Sequence, residues 1–118
     1  MKWLLNRLRS FGHAFRGLGV MFRTQRNAWI HLLATIVVVG AGCWYHLLAW
    51  EWCLIIVAIA LVLMAEALNT AIEYLCDAVS PEYHPLIGKS KDIAAGAVML
   101  SAIAAAIIGL VVFGPRWW

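Results

Sequence analysis

Three acids and an amide recur on one face of a long apolar segment. Glu66, Asn69, Glu73 and Asp77 follow the run Trp52–Ala65 (WCLIIVAIALVLMA), with Thr70 among them. At 3.6 residues per turn those four positions fall within an arc of about 80°. An ionisable side chain at membrane depth costs at least about 2.5 kcal/mol unless it is paired or wet, so it marks a functional site. Two glutamates two turns apart suggest two roles. Withdrawal from water makes a carboxylate a better acceptor of an alcohol proton, the part of a general base. A carboxylate at a wet boundary can instead hold Mg²⁺, which binds through one or two carboxylates plus substrate phosphates. Asn69 can orient the base or a ligand, while Lys91 and Asp92 add a phosphate-pairing charge and a polar partner. Such a set suits phosphoryl transfer to a membrane alcohol, where positioning and charge stabilisation do nearly all the catalysis. The same acids also fit a structural polar cluster or a proton-coupled transport site.

The elements that position these residues follow from composition. Of 118 residues, 64% are hydrophobic, against about 45–50% in a soluble domain. The chain reads as one small polytopic membrane domain spanning 1–118. Residues 3–22 place Leu4, Leu8, Phe11, Phe15, Leu18 and Phe22 on one helical face, with Arg7, Arg9 and Arg16 between them. A basic amphipathic helix of this kind lies in the headgroup plane, so 3–27 is expected to be a surface helix and its loop. Transmembrane helices are expected over 30–50, 51–79 and 91–113. Tyr45, His46, Trp50 and Trp52 form an aromatic turn between the first two, and Trp117 and Trp118 anchor the last at the far interface. No cleavable signal is expected at the amino terminus, and no repeats or linkers occur.

Three spans put the two ends on opposite sides. The amino-terminal segment and the 80–91 loop carry eight of the nine Lys and Arg residues, and the other side only Arg116. The positive-inside rule then puts the amino terminus and that loop in the cytoplasm. With Glu51 at the outer interface, Glu66 lies ~22 Å along the helix and Glu73 ~33 Å, in a core about 30 Å thick. A lipid hydroxyl and a water-soluble cosubstrate can meet along such a face. In the last span, Ala97, Ser101, Ala105 and Gly109 form a small-residue stripe that lets helices approach closely.

Other chemistry is excluded or unsupported. Gly88-Lys89-Ser90 has the tail of a phosphate-binding loop, but Tyr83 stands where that motif requires glycine, and no strand precedes it. Cys43, Cys53 and Cys76 show no ligand spacing and read as small apolar fillers. His13, His31 and His46 are scattered over separate segments and read as interface or packing residues.

The run EALNTAIEYLCDAVSPEYHPLIGKSKDIAAGAV (Glu66–Val98) closely resembles the prokaryotic diacylglycerol kinase family, which includes undecaprenol kinases. AFRGL (Ala14–Leu18) and NAWIHLL (Asn27–Leu33) fit the same family, so the resemblance covers nearly the whole chain. Its most specific part is E-x-x-N-[ST]-A-x-E followed by the K-D pair. The resemblance implies an all-α integral membrane protein with three transmembrane helices and an amino-terminal surface helix, assembled as a homotrimeric bundle in the bacterial inner membrane. It implies ATP- and Mg²⁺-dependent phosphorylation of a lipid alcohol, diacylglycerol or undecaprenol, at a site shared between subunits, with no nucleic-acid partner.

Under that resemblance Glu66 matches the catalytic base, with Asn69 beside it, and Glu73 the metal-binding glutamate at the nucleotide. Lys91 and Asp92 match the pair at the nucleotide phosphates, and Glu82, Tyr83 and His84 the loop that covers the nucleotide. Glu66 and Arg16 are assigned to the lipid substrate. Gln25 departs from the pattern: the family often has a second metal-binding glutamate there. An amide oxygen can coordinate Mg²⁺ but brings no charge, so weaker metal binding is expected. HPL-x-x-K-x-KD and NxxIHLL are closer to the undecaprenol-kinase branch. The competing readings are a small proton-coupled multidrug transporter, which would be expected to have four spans, and a catalytically weak homologue.

Overall fold

The computed structural model describes residues 1–117; Trp118, one of the two expected terminal anchors, lies outside the described residues. Four helices follow one another: α1 (Lys2–Thr24), α2 (Arg26–Trp44), α3 (Ala49–Val79) and α4 (Pro85–Phe113). A 3₁₀ turn, Gly114–Arg116, closes the chain, and no strand occurs among the described residues. The molecule measures 51 × 47 × 20 Å, about two helix diameters thick. The last three helices are long and apolar enough to cross a bilayer. Even α3 hides only 33% of its most apolar window within the chain. The other outward apolar surface has to meet lipid or protein.

Helix ends follow local chemistry. α1 and α2 are separated by one extended residue, Gln25 (φ −114°, ψ 113°). Met21 and Ala28 fill the corner between them, and the Phe22 and Trp29 rings meet edge-on at 5.7 Å. α2 therefore starts at Arg26 rather than near Ile30. It ends in a Schellman turn: Leu47 N–H donates to Gly42 O and His46 N–H to Cys43 O, with His46 left-handed at φ 53°. Leu47 then folds back onto Gly42, where a Cβ would lie only 2.6 Å from the Trp52 ring. α4 starts at Pro85, six residues before the expected Lys91. Pro85 suits the first helical turn, and His84 Nδ1 caps it by accepting from Leu86 N–H at 3.1 Å.

α3 packs mainly on α4 through one buried stripe: Glu51, Ile55, Ala58, Val62, Glu66 and Asn69 recur every three or four residues, and Cys76 follows two turns later. The stripe is apolar through its middle and polar at both ends. At its start, Glu51 takes a bidentate pair of 2.8 Å bonds from Arg116 and accepts from Leu48 N–H at 3.0 Å. Nearby, Leu47, Ile55, Val112 and Phe113 form a core cluster, and Trp117 donates to Tyr45 Oη at 2.8 Å. Arg116, counted from the sequence as the one far-side cation, is thus the clasp between the chain end and α3. Glu51→Gln weakens this fork by removing the charge it is built around. We expect a thermal midpoint lower by several degrees in detergent, with helix content at 25 °C nearly unchanged. The cysteines are free, Cys43 and Cys53 exposed and Cys76 buried.

Candidate functional site

The polar end of the α3 stripe gathers most of the chemistry. Glu66 is fully buried, at 0% exposure, in register with the apolar residues that precede it. The register fixes this placement, because a side chain at 66 shares the face of 55, 58 and 62. Neither carboxylate oxygen has a hydrogen-bond partner among the described residues. Thr70 Oγ donates to Glu66 O at 2.8 Å, so its hydroxyl serves the backbone and not the carboxylate. Asn69 is buried too, and its Oδ1 is also without a partner.

One helical turn beyond Asn69 lies Glu73, half-buried and shared by two amides. Asn69 Nδ2 donates to its Oε1 at 3.3 Å and Gln25 Nε2 to its Oε2 at 2.9 Å. Residues 48 positions apart meet because Gln25 is the single extended residue between α1 and α2, which turns its side chain toward α3. The fit to Mg²⁺ can be judged from these donors. Carboxylate and amide oxygens are hard ligands of the kind Mg²⁺ selects. No group of three His, Cys, Asp or Glu converges among the described residues. One carboxylate with an adjacent amide fits a cation that completes its shell with phosphates and water. Glu73 would hold it, and Gln25 would join by turning its amide over to present Oε1.

The remaining candidates line the same end of the helices. Asp77 is exposed and holds Lys91 Nζ at 2.7 Å, joining the end of α3 to the start of α4. Asp92 is exposed on α4. Glu82, Tyr83 and His84 are exposed on the connection between α3 and α4. Ser80 donates to Glu82 O at 2.9 Å, and the Tyr83 ring lies over Gly88, 3.4 Å from where a Cβ would sit. Arg16 stays on the exposed face of α1, with Nη1 3.4 Å from His13 Nδ1, and makes no ion pair with Glu66.

One neighbour of Glu66 was read from the sequence only as an interface or packing residue. His31 Nε2 lies 3.6 Å from Glu66 Oε2, with the histidine side chain 19% exposed and the glutamate 1%. Nothing in local spacing links positions 31 and 66; only the packing of α2 on α3 does. The available hint was a single ionisable residue in an apolar span.

Residues 12–113 match the family described as "Prokaryotic diacylglycerol kinase". The chain is 42% identical to "Undecaprenol kinase" of Bacillus subtilis (strain 168) over 113 residues, 95% of this chain and 92% of that protein. It is 43% identical to "Diacylglycerol kinase" of Synechocystis sp. over 105 residues, 88% of this chain and 60% of that one. It is 32% identical to "Diacylglycerol kinase" of Escherichia coli (strain K12) over 111 residues, 88% of this chain and 91% of that one.

Proposed function

The chain belongs to the prokaryotic diacylglycerol kinase family, and on that premise we propose that it transfers the γ-phosphoryl group of ATP, with Mg²⁺, to the hydroxyl of diacylglycerol or undecaprenol. It is an integral membrane lipid kinase, a phosphotransferase with an alcohol acceptor. The observation that carries the mechanism is Glu66: a fully buried carboxyl with both oxygens unpartnered among the described residues, on the stripe that leads to Asn69 and Glu73. Such a group is costly to bury unless a donor comes to it. A lipid hydroxyl is such a donor, and its proton is the one phosphoryl transfer must remove.

In this mechanism Glu66 takes the hydroxyl proton as the oxygen attacks the γ-phosphorus in line with the departing ADP. Asn69 holds Glu73 in place, so that base and anion site keep a fixed separation along one rigid helix. Lys91, aimed by Asp77, pairs with the phosphates. Asp92 extends the polar edge, and Glu82, Tyr83 and His84 cover the nucleotide. Arg16, on α1, meets the lipid headgroup region. Mg²⁺ at Glu73 and Gln25 would neutralise charge on the transferring phosphates.

The amino terminus and the 80–84 connection face the cytoplasm of a bacterial inner membrane, where ATP is available. This is supported by the Lys and Arg residues at that end. α1 lies in the headgroup plane with Leu4, Leu8, Phe11 and Phe15, all exposed, turned to lipid. Three copies assemble, as the family resemblance implies, and the apolar groove of about 800 Å³ between α3 and α4, lined by Leu61, Met64, Leu68 and Leu100, is a surface that a neighbouring copy can cover. Family membership disfavours the transporter reading.

A panel of lipid alcohols with γ-labelled ATP tests the activity and separates the two acceptors. The HPL-x-x-K-x-KD segment favours undecaprenol. No label transfer to any acceptor would remove the assignment. The metal site has its own test in Gln25→Glu. A second carboxylate 2.9 Å from Glu73 repels it until a cation enters. We expect the Mg²⁺ concentration for half-maximal rate to fall about tenfold, within the 10–100-fold that groups around a metal command. An unmoved requirement would place Gln25 away from the metal.

A further inference from the structure

We propose that His31 is the proton carrier for Glu66: it takes from the Glu66 carboxyl the proton given up by the lipid hydroxyl and returns it to water at the headgroup boundary. The inference rests on Glu66 being the base.

The need for a carrier follows from proton balance. In each turnover the hydroxyl O–H bond breaks and its proton joins the Glu66 carboxylate. The hydroxyl oxygen bonds to the γ-phosphorus, and the bridging P–O bond to ADP breaks. The phosphorylated lipid and ADP leave, but the proton stays on a side chain that is 0% exposed. Until it departs, Glu66 cannot act as a base again.

The surroundings of Glu66 offer one group able to take it. Its carboxylate has no hydrogen-bond partner and, within 4 Å, one ion-pairing side chain, His31, among the described residues. The groove between α1 and α3 is lined by Ala14, Gly17, Leu18, Val20 and Met21 on one side and Ala67, Thr70, Ala71 and Tyr74 on the other; its one titratable residue, Tyr74, lies eight residues, ~12 Å, along α3 from Glu66. Below His31, α4 contributes Ala102, Ala105, Ala106 and Gly109 to an apolar cavity of about 310 Å³. Ser101 of α4 turns its hydroxyl to Val98 O at 2.7 Å. On α3 itself, Glu73 is held by Gln25 and Asn69.

Geometry supports transfer and release. The 3.6 Å separation of His31 Nε2 and Glu66 Oε2 exceeds a hydrogen bond. Proton-transfer pairs are often long in the substrate-free state and tighten when substrate binds. Imidazole is the side chain that both takes and gives up a proton near neutrality. His31 is also the more open member, 19% exposed against 1%. It lies five residues into α2 from Arg26, ~8 Å along the helix from that basic end.

The test uses the full chain in lipid micelles, with His31→Gln and His31→Ala compared by rapid quench and steady-state kinetics. The step assigned to His31 follows phosphoryl transfer, so the first turnover of His31→Gln should run at the unaltered rate. Later turnovers should be about 10²-fold slower, giving a burst of one product per site. KM for ATP and for lipid should change less than about twofold. Imidazole added to His31→Ala should restore the steady rate in proportion to its concentration, while leaving the unaltered protein's rate unchanged. A structural role for His31 predicts neither the burst nor the recovery. Full steady-state turnover in His31→Gln, or a slow first turnover with no recovery by imidazole, would overturn the proposal. Glu66→Gln separates this from the underlying reading: if that variant stays active, the base assignment fails. If it is inactive while His31 variants turn over normally, only the carrier role falls.

Discussion

Glu66→Gln should remove lipid phosphorylation, with kcat falling by about 10²–10⁴-fold, the range that a general base contributes. The change is nearly isosteric, so the α3–α4 packing around residue 66 keeps its volume. An amide cannot take the hydroxyl proton at any accessible pH, so the loss should not be recovered by raising pH, ATP, Mg²⁺ or lipid. Binding of ATP should be unaltered, because the residues proposed to hold the nucleotide lie a turn or more further along α3. Stability should hold or rise: a buried carboxyl without partners among the described residues is costly, and an amide at that position carries no charge. Equal or higher thermal stability with lost activity is the signature of a residue kept for chemistry. A variant retaining more than a tenth of the activity would refute Glu66 as the base.

Glu73→Gln has the second largest effect, and it differs in kind. Its carboxylate is the charged member of the cluster with Gln25 and Asn69, and the variant leaves three amides there. We expect kcat/KM for ATP to fall by about 10²-fold, close to 2.7 kcal/mol of transition-state stabilisation. Unlike Glu66→Gln, this loss should shrink as Mg²⁺ is raised. The double variant Gln25→Glu/Glu73→Gln moves the charge across the 2.9 Å contact to the partner residue. It should recover a large part of the lost activity, because the pair would again offer one carboxylate and one amide. A double variant no better than Glu73→Gln alone would show that the two residues do not share a cation.

The helices were legible because their causes are local. The apolar runs and the 3.6-residue period of the acidic face marked α3, and the period alone put Glu66, Asn69 and Glu73 on one side. The boundaries were less legible, for a local reason of another kind. His84 capping Pro85 starts α4 early, and one extended residue at Gln25 ends the loop that sequence drew more broadly. Both depend on single hydrogen bonds and dihedral choices that hydropathy does not register. Arg116 shows the same limit: it was counted as a far-side charge, and the fork to Glu51, 65 positions earlier, became visible only in three dimensions.

By itself the sequence determined which polar residues share one face of α3, because a helix converts spacing into direction. It also marked the family, through a motif lying mostly on that helix and the following turn. Tertiary structure alone decided what faces those residues. It set Gln25 against Glu73 and His31 against Glu66, pairs 48 and 35 positions apart. No periodicity links such positions; they meet because α1 and α2 turn at Gln25 and pack against α3. Their separation in space, and so their electrostatics, follows from that packing.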